Sequence, residues 1–273
     1  MDVHAMLGFG LLLLTSGLAA GFLGGMIGAG GGLILVPVLY HAFSALGVDP
    51  DIRMHLVVGT ALAAVVPTSI VGARAHWLRG NVNTSIVKRL AIPVLLGSIA
   101  AGKISGSVGG KELSLVFAFV ALLVSVNMAL KNGVALGGEL PGILGTSLMG
   151  ASIGFLSTLV GIGGATLTVP LLYSFRTPMP IAIGTASTLG SLIGLPGAIA
   201  FVVSGWNDPR LAPGSIGYVN LAAVAIIFPA STLAISAGAR LTRRVNEHLL
   251  RAMFALFLAL TALRMLTSLG MAS

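Results

Sequence analysis

The sequence contains no cysteine and very few charged residues. The missing cysteine excludes disulfides, thiol catalysis and cysteine-based metal sites. Charged residues make up only 8% of the 273 residues, whereas a soluble globular domain has about 25%. So little charge cannot cover a surface in water, and a hydrocarbon solvent is therefore the natural environment of this chain.

Acidic residues are scarce, with seven Asp and Glu in all, and none lies in the middle of an apolar segment. The apolar segments also contain no HExxH motif, no paired acids and no Ser/His/Asp arrangement that would support catalysis. We therefore expect neither an enzyme nor a bound metal or cofactor.

Apolar residues are abundant, at 56% of the chain, and the mean hydropathy is +1.04. Runs such as 113–130 and 249–266 approach the roughly 20 apolar residues that span a bilayer as a helix. We predict an all-α membrane protein whose partner is the lipid bilayer. Its apolar segments run over residues 5–27, 31–46, 54–73, 84–105, 112–130, 141–160, 164–175, 180–204, 215–238 and 246–268.

The formal net charge of +8 comes from basic residues in the short loops between these segments. That placement is typical of topology signals on the cytoplasmic side of a membrane, and it argues against a nucleic-acid partner. The N-terminus has Asp2 and no basic region before its apolar stretch. We therefore expect the first segment to be retained and not cleaved as a signal peptide.

One glycine-rich stretch occurs twice. Residues 21–37 read Gly-Phe-Leu-Gly-Gly-Met-Ile-Gly-Ala-Gly-Gly-Gly-Leu-Ile-Leu-Val-Pro, and residues 154–170 read Gly-Phe-Leu-Ser-Thr-Leu-Val-Gly-Ile-Gly-Gly-Ala-Thr-Leu-Thr-Val-Pro. The segment 164–175 that follows the second copy rises only about 18 Å as a helix, which is less than the roughly 30 Å core of a bilayer. Each stretch is therefore predicted to break a helix, as a hairpin that enters the membrane and returns.

The match between the two halves extends beyond the glycines. The Gly-Thr-Ala triplet at 59–61 recurs at 184–186, Asn83 matches Asn220, and Pro93 matches Pro229. We predict one transmembrane domain built from two repeats, an N-terminal repeat over 1–135 and a C-terminal repeat over 136–273. Each repeat has five segments and includes one glycine-broken helical hairpin. Repeats of this kind are typical of transporters.

Matched loops of the two halves differ in charge. The 74–89 loop is basic and its partner 204–216 is not, whereas the 239–251 loop is more basic than its partner 103–112. Because Lys and Arg collect on the cytoplasmic side, this switch predicts that the repeats are inverted. The same rule predicts that both termini are extracytoplasmic, and we expect the chain to lie in the cell (inner) membrane.

Adjacent glycines in a membrane segment indicate irregular backbone, which hydrocarbon tolerates only when it is buried in protein or lines a watery cavity. A half-helix beginning at Gly31 or Gly164 would present free N–H groups and a positive dipole end. Because no acid is nearby, we expect a small anion to bind there, at the membrane midplane. The alternative is that small residues simply allow close helix packing.

The candidate substrate-binding residues are the glycines of both stretches and nearby hydroxyl groups. Serine and threonine can instead bond to their own helix, and tyrosine is common in interface belts. His76 and Trp77 together predict an interfacial anchor on the cytoplasmic side. The candidates are Gly28, Gly30, Gly31, Gly32, Tyr40, Thr60, Gly161, Gly163, Gly164, Tyr173, Thr185 and Ser187.

The glycine stretches ending at Pro37 and Pro170, with the paired Gly-Thr-Ala triplets, resemble the TauE/SafE family of sulfite exporters over essentially the whole chain. The second copy departs from the pattern at Ala165, where the first has Gly32. The resemblance implies transport of a small sulfur-containing anion such as sulfite, thiosulfate or a C2 sulfonate like sulfoacetate. A negative cell interior favours export of an anion. A passive small-anion channel is the alternative, and a homodimer is left open.

Overall fold

The computed structural model describes residues 3–27, 31–129, 137–138, 140–241 and 247–270. Within them the chain forms ten α-helices and one two-stranded antiparallel hairpin. The helices are α1 (Val3–Ile27), α2 (Gly32–Ala45), α3 (Pro50–Trp77), α4 (Thr84–Ser105), α5 (Gly110–Ala129), α6 (Ile143–Val160), α7 (Ala165–Ser174), α8 (Met179–Ser204), α9 (Leu221–Leu241) and α10 (Glu247–Gly270), and the strands are β1 (Ser215–Ile216) and β2 (Val219–Asn220).

The predicted all-α membrane fold is confirmed. Each predicted apolar segment contains one helix, and seven of the described helices are long and apolar enough to cross a membrane. The largest departure is at residues 215–220, predicted as part of an apolar segment but folded as the β1–β2 hairpin. Gly214 and Gly217 have φ of +78° and +53° there, a left-handed backbone that ends regular helix and favours glycine.

The helices that follow the two glycine stretches are short. α2 has 14 residues and α7 has 10, so at 1.5 Å per residue they rise only about 21 Å and about 15 Å. Neither crosses a roughly 30 Å hydrocarbon core alone. Gly161 has φ of +74° and ends α6 in the left-handed conformation common at helix C-termini.

Helices of the first half of the chain pack against helices of the second half. α1 packs along α9 and α4 packs along α6, while α3 packs against α8 and α5 against α10. In the sequence match, α1 corresponds to α6 and α4 corresponds to α9. The α1–α9 contact and the α6–α4 contact are therefore equivalent and related by exchange of the two repeats. The direction in which each half crosses the membrane stays a prediction.

The outer surface of the bundle is apolar. Ile143 on α6 and Leu233 on α9 are 89% and 76% exposed, whereas Phe43, Phe117 and Phe201 are fully buried between helices. A contiguous apolar surface of this kind is rare on soluble proteins and is solvated by acyl chains in a bilayer. The composition and the surface therefore agree on a multi-pass membrane protein.

Candidate functional site

The two glycine stretches lie side by side in the protein interior. A Cβ atom on Gly32 would be 2.6 Å from the Gly161 carbonyl oxygen and 3.0 Å from the Gly163 nitrogen. Only a residue without a side chain permits this approach of the two backbones. Gly28 and Gly30, two of the predicted site residues, lie outside the described residues.

A cavity of about 30 Å³ borders this contact, which is room for about two water molecules. Its walls come from both glycine stretches and from α1, α3, α8 and α9, and most of the lining side chains are absent, small or hydroxyl-bearing. The lining residues are Ala20, Gly21, Gly24, Gly25, Gly31, Leu35, Thr68, Ser69, Gly72, His76, Gly163, Ala165, Ser187, Gly190, Ser231 and Ile235. Of the predicted residues, Gly31, Gly163 and Ser187 are therefore brought together here.

The N-termini of both short helices reach the cavity. Gly31 is the residue before α2, and Ala165 begins α7; both line the cavity. Neither N-terminus is capped by a side-chain hydrogen bond. The first N–H groups of a helix lack partners within the helix, and its N-terminus has a partial positive charge. The lining residues that the structure describes include no Asp or Glu, so the cavity favours an anion.

Three of the four hydroxyl groups in the lining, those of Thr68, Ser187 and Ser231, donate to their own helices. Ser187 Oγ donates to the Ile183 carbonyl at 2.9 Å, and Ser231 Oγ donates to the Ile227 carbonyl at 2.7 Å. This is the local bonding that serine and threonine commonly form in helices. These three hydroxyls would each have to give up a bond to donate to an anion, whereas the N–H groups at the helix N-termini and the Ser69 hydroxyl would not.

The Gly-Thr-Ala triplets join the two halves of the protein. The Asn220 N–H donates to Thr60 Oγ1 at 2.9 Å, and the Asn83 N–H donates to Thr185 Oγ1 at 3.1 Å. Thr60 and Thr185 are fully buried, and each therefore holds the residue that precedes α9 or α4. Neither lines the cavity, so their predicted contact with substrate stays a prediction.

Replacing Thr60 by valine should destabilise the protein by about 1–3 kcal/mol, because the Asn220 N–H would be left buried without an acceptor. The shape of the side chain is retained, so the loss reports on the hydrogen bond. We expect a thermal unfolding midpoint in nanodiscs several degrees below that of wild type. Thr60→Ser keeps the acceptor and serves as the control; equal midpoints for the two variants would contradict this role.

The two predicted tyrosines also lie away from the cavity. The Arg53 guanidinium lies over the Tyr40 ring, 5.6 Å from its centroid, and Arg53 also donates to the Val48 carbonyl at 2.8 Å. Tyr173 is half-buried near the end of α7. Gly32 and Gly161 form the close backbone contact that borders the cavity. Gly164 is the N-cap of α7.

The prediction of an interfacial anchor is wrong for His76. Its side chain is only 6% exposed and lines the cavity, whereas Trp77 is 58% exposed. Ser69, Gly72 and His76 are spaced three and four residues apart, which places them on one face of α3. The sequence signal for His76 was this spacing from Ser69 and Gly72. Considering His76 together with its neighbour Trp77 missed the signal, because successive residues of a helix point in different directions.

The region related to the cavity by the repeat is filled. At the offset that matches Thr60 with Thr185, the positions matching Ser187, Thr68 and His76 hold Leu62, Ile193 and Phe201. A Cβ on Gly197 would be 2.8 Å from Leu62 Cδ1, and one on Gly164 would overlap Ile193 Cδ1. The cavity is therefore one-sided, and it lies towards the end of α3 that leads into the basic 74–89 loop.

A wider groove of about 820 Å³ lies at the other end of α3. Arg210 in this groove pairs with Asp208 at 2.8 Å and approaches Asp49 at 3.6 Å. The Arg210 hydrogen bonds hold the pKa of Asp208 well below its usual range. Burial raises the pKa of Tyr218, and the hydrogen bond that its hydroxyl donates to the Asp208 carboxylate raises this pKa further, to about 12. Because carboxylates neutralise Arg210, this groove does not attract anions.

Comparison with known proteins decides the family. The model of the family described as sulfite exporter TauE/SafE matches residues 13–265. The chain belongs to the TauE/SafE family. Together with the membrane-spanning helices, this makes it a multi-pass membrane transporter of the TauE/SafE type with a small substrate.

Relatives over nearly the whole chain are described as probable membrane transporter proteins. One from Haemophilus influenzae is 34% identical over 263 residues, covering 95% of this chain and 99% of its own length. Another from Methanocaldococcus jannaschii is 24% identical over 257 residues, covering 93% and 94%. No solved structure shows a significant match. The names of these relatives give transport as the activity and give no substrate.

Proposed function

We propose that this TauE/SafE protein exports a small sulfur-containing anion across the inner membrane. The candidate substrates are sulfite, thiosulfate and C2 sulfonates such as sulfoacetate. The observation that carries the proposal is the cavity between two uncapped helix N-termini, whose described lining residues include no Asp or Glu. Such a site provides hydrogen-bond donors and positive potential for an oxyanion. No covalent bond is made or broken in this function.

The proposed transport cycle uses the two halves, 1–135 and 136–273, as inverted repeats that rock around the cavity. The exchange of packing partners between α1, α4, α6 and α9 supports this arrangement. In this proposal both termini lie outside the cell, as the positive-inside rule predicts. The cavity then lies in the cytoplasmic half, where an exporter takes up its substrate, and the membrane potential favours outward movement of an anion.

A passive anion channel on the same halves is the alternative function. A channel needs a continuous watery path, whereas Leu62 and Ile193 occupy the region that the repeat relates to the cavity. This filling favours a transporter, in which access must alternate between the two sides.

Exchange in proteoliposomes tests the proposal and separates it from the alternative. Vesicles preloaded with unlabelled thiosulfate, sulfite or sulfoacetate should take up a trace of the same radiolabelled anion above its equilibrium level, because an alternating carrier couples inward to outward movement. With the membrane potential held at zero by valinomycin and equal K⁺ on both sides, a channel would give flux without this overshoot. Protein-free vesicles are the control, and the absence of flux for all three anions would contradict the proposal.

A further inference from the structure

His76 is the one titratable side chain among the cavity lining of the described residues. It is buried, with only 6% of the residue exposed. Its Nδ1 atom is buried with no hydrogen-bond partner in the part of the chain that the structure describes. Ionisable side chains inside a membrane protein are costly to bury and generally mark a pathway for ions or protons.

Among the described residues that line the cavity with His76, none is an acid that could pair with an imidazolium. α8, which packs against α3, has no charged residue, and α9 has only Arg240 in its last turn. The neighbouring charges on the chain are Arg74, in the same helix, and Arg79, whose guanidinium donates to the Ala75 carbonyl at 2.6 Å. A proton on His76 therefore lacks a counter-charge unless an anion occupies the cavity.

We propose that His76 is the cationic ligand of the anion site and that its imidazole takes up one proton when the anion binds. This inference rests on the proposed function, because it assigns a ligand and a coupled ion to the same cavity. An anion beside the ring favours the charged form of histidine, and the protonated ring in turn strengthens anion binding. The two N-termini of α2 and α7 then supply neutral donors, and His76 supplies the only full positive charge among the described lining residues.

The two halves of the protein differ at the position of His76. The position matching His76 in the second half is Phe201, which is fully buried and cannot bind a proton. One proton site therefore serves the whole transporter. Proton and anion binding are thermodynamically linked, so each must increase the affinity for the other by the same factor.

Isothermal titration of the full-length protein in nanodiscs with sodium thiosulfate measures this linkage. Thiosulfate is suitable because its own charge does not change between about pH 6 and about pH 8, the range in which histidine titrates. Repeating the titration in buffers of different ionisation enthalpy gives the number of protons taken up. We expect about one proton per anion and an affinity that falls by up to about tenfold per pH unit as pH rises.

His76→Gln should bind thiosulfate more weakly, with no proton uptake and no pH dependence. His76→Phe, which copies the matching Phe201, should lose binding while its thermal unfolding midpoint shows that it is folded. His41→Gln, at an exposed position on α2, is the matched control and should behave as wild type. Wild-type binding without proton uptake, or unchanged proton uptake in His76→Gln, would overturn the inference alone. Failure of the wild type to bind thiosulfate, sulfite or sulfoacetate would overturn the proposed function as well.

Discussion

Replacing Gly72 by leucine should abolish anion flux and leave the protein folded. Gly72 is on α3 and lines the cavity, and a Cβ added there would meet its nearest atoms, Cβ and Oγ of Ser187, at 3.9 Å. The first carbon of the new side chain therefore fits, and the remaining carbons occupy the space proposed for the anion. Leucine is also a better helix former than glycine by about 0.8 kcal/mol, so the helix itself is not weakened.

Flux of radiolabelled thiosulfate into proteoliposomes measures this effect, and we expect it to fall to the level of protein-free vesicles. Gly8→Leu is the matched control, because Gly8 is exposed on α1 with no atom within 4 Å of an added Cβ. It makes the same substitution on a lipid-facing surface and should transport as wild type. Full flux in folded Gly72→Leu would show that the anion does not pass through this cavity.

The second large effect is expected for Gly184→Ala, which should destabilise the protein by about 3 kcal/mol. A Cβ on Gly184 would overlap the Asn81 carbonyl oxygen and lie 3.0 Å from the His76 Cβ. The carbonyl belongs to the backbone of the turn between α3 and α4, so it cannot move aside as a flexible side chain could. The thermal unfolding midpoint in nanodiscs should fall by on the order of 10 °C.

Gly72→Ala provides the matched control for this substitution. It also adds one methyl group to a buried helical glycine, but its nearest neighbours are at ordinary contact distance. We expect its midpoint to equal or slightly exceed that of wild type, because alanine stabilises a helix relative to glycine by about 1 kcal/mol. If Gly184→Ala were as stable as Gly72→Ala, the close contact between α8 and the 78–83 turn would be refuted.

The helices could be predicted from the sequence because hydrocarbon demands long apolar runs, which are visible without knowledge of tertiary contacts. The shortness of α7 followed from the same reasoning. The β1–β2 hairpin was not predicted, since Ile216, Tyr218 and Val219 were assigned to an apolar segment and its turn depends on contacts with α8. Gly217 illustrates this, because a Cβ there would overlap the Val202 carbonyl oxygen.

The candidate site was only partly predictable. The glycine stretches indicated where the backbone breaks, and the structure places Gly31 and Gly163 at one cavity. Thr60 and Thr185 were selected for their hydroxyl groups, but those groups accept bonds from Asn220 and Asn83. Partners more than one hundred residues apart in the chain cannot be identified from local pattern. Gly72 and His76 belong to the site because helix packing places one face of α3 against the glycine stretches.

Anomalous diffraction from the protein crystallised with selenite, the selenium analogue of sulfite, tests the central claim most directly. The claim is that the N-termini of α2 and α7, beside Gly31 and Gly163, form one anion site. We predict a single strong selenium peak in the cavity between these residues and His76. A strongest peak in the groove beside Arg210, or none in the cavity under conditions where selenite competes with thiosulfate transport, would contradict it.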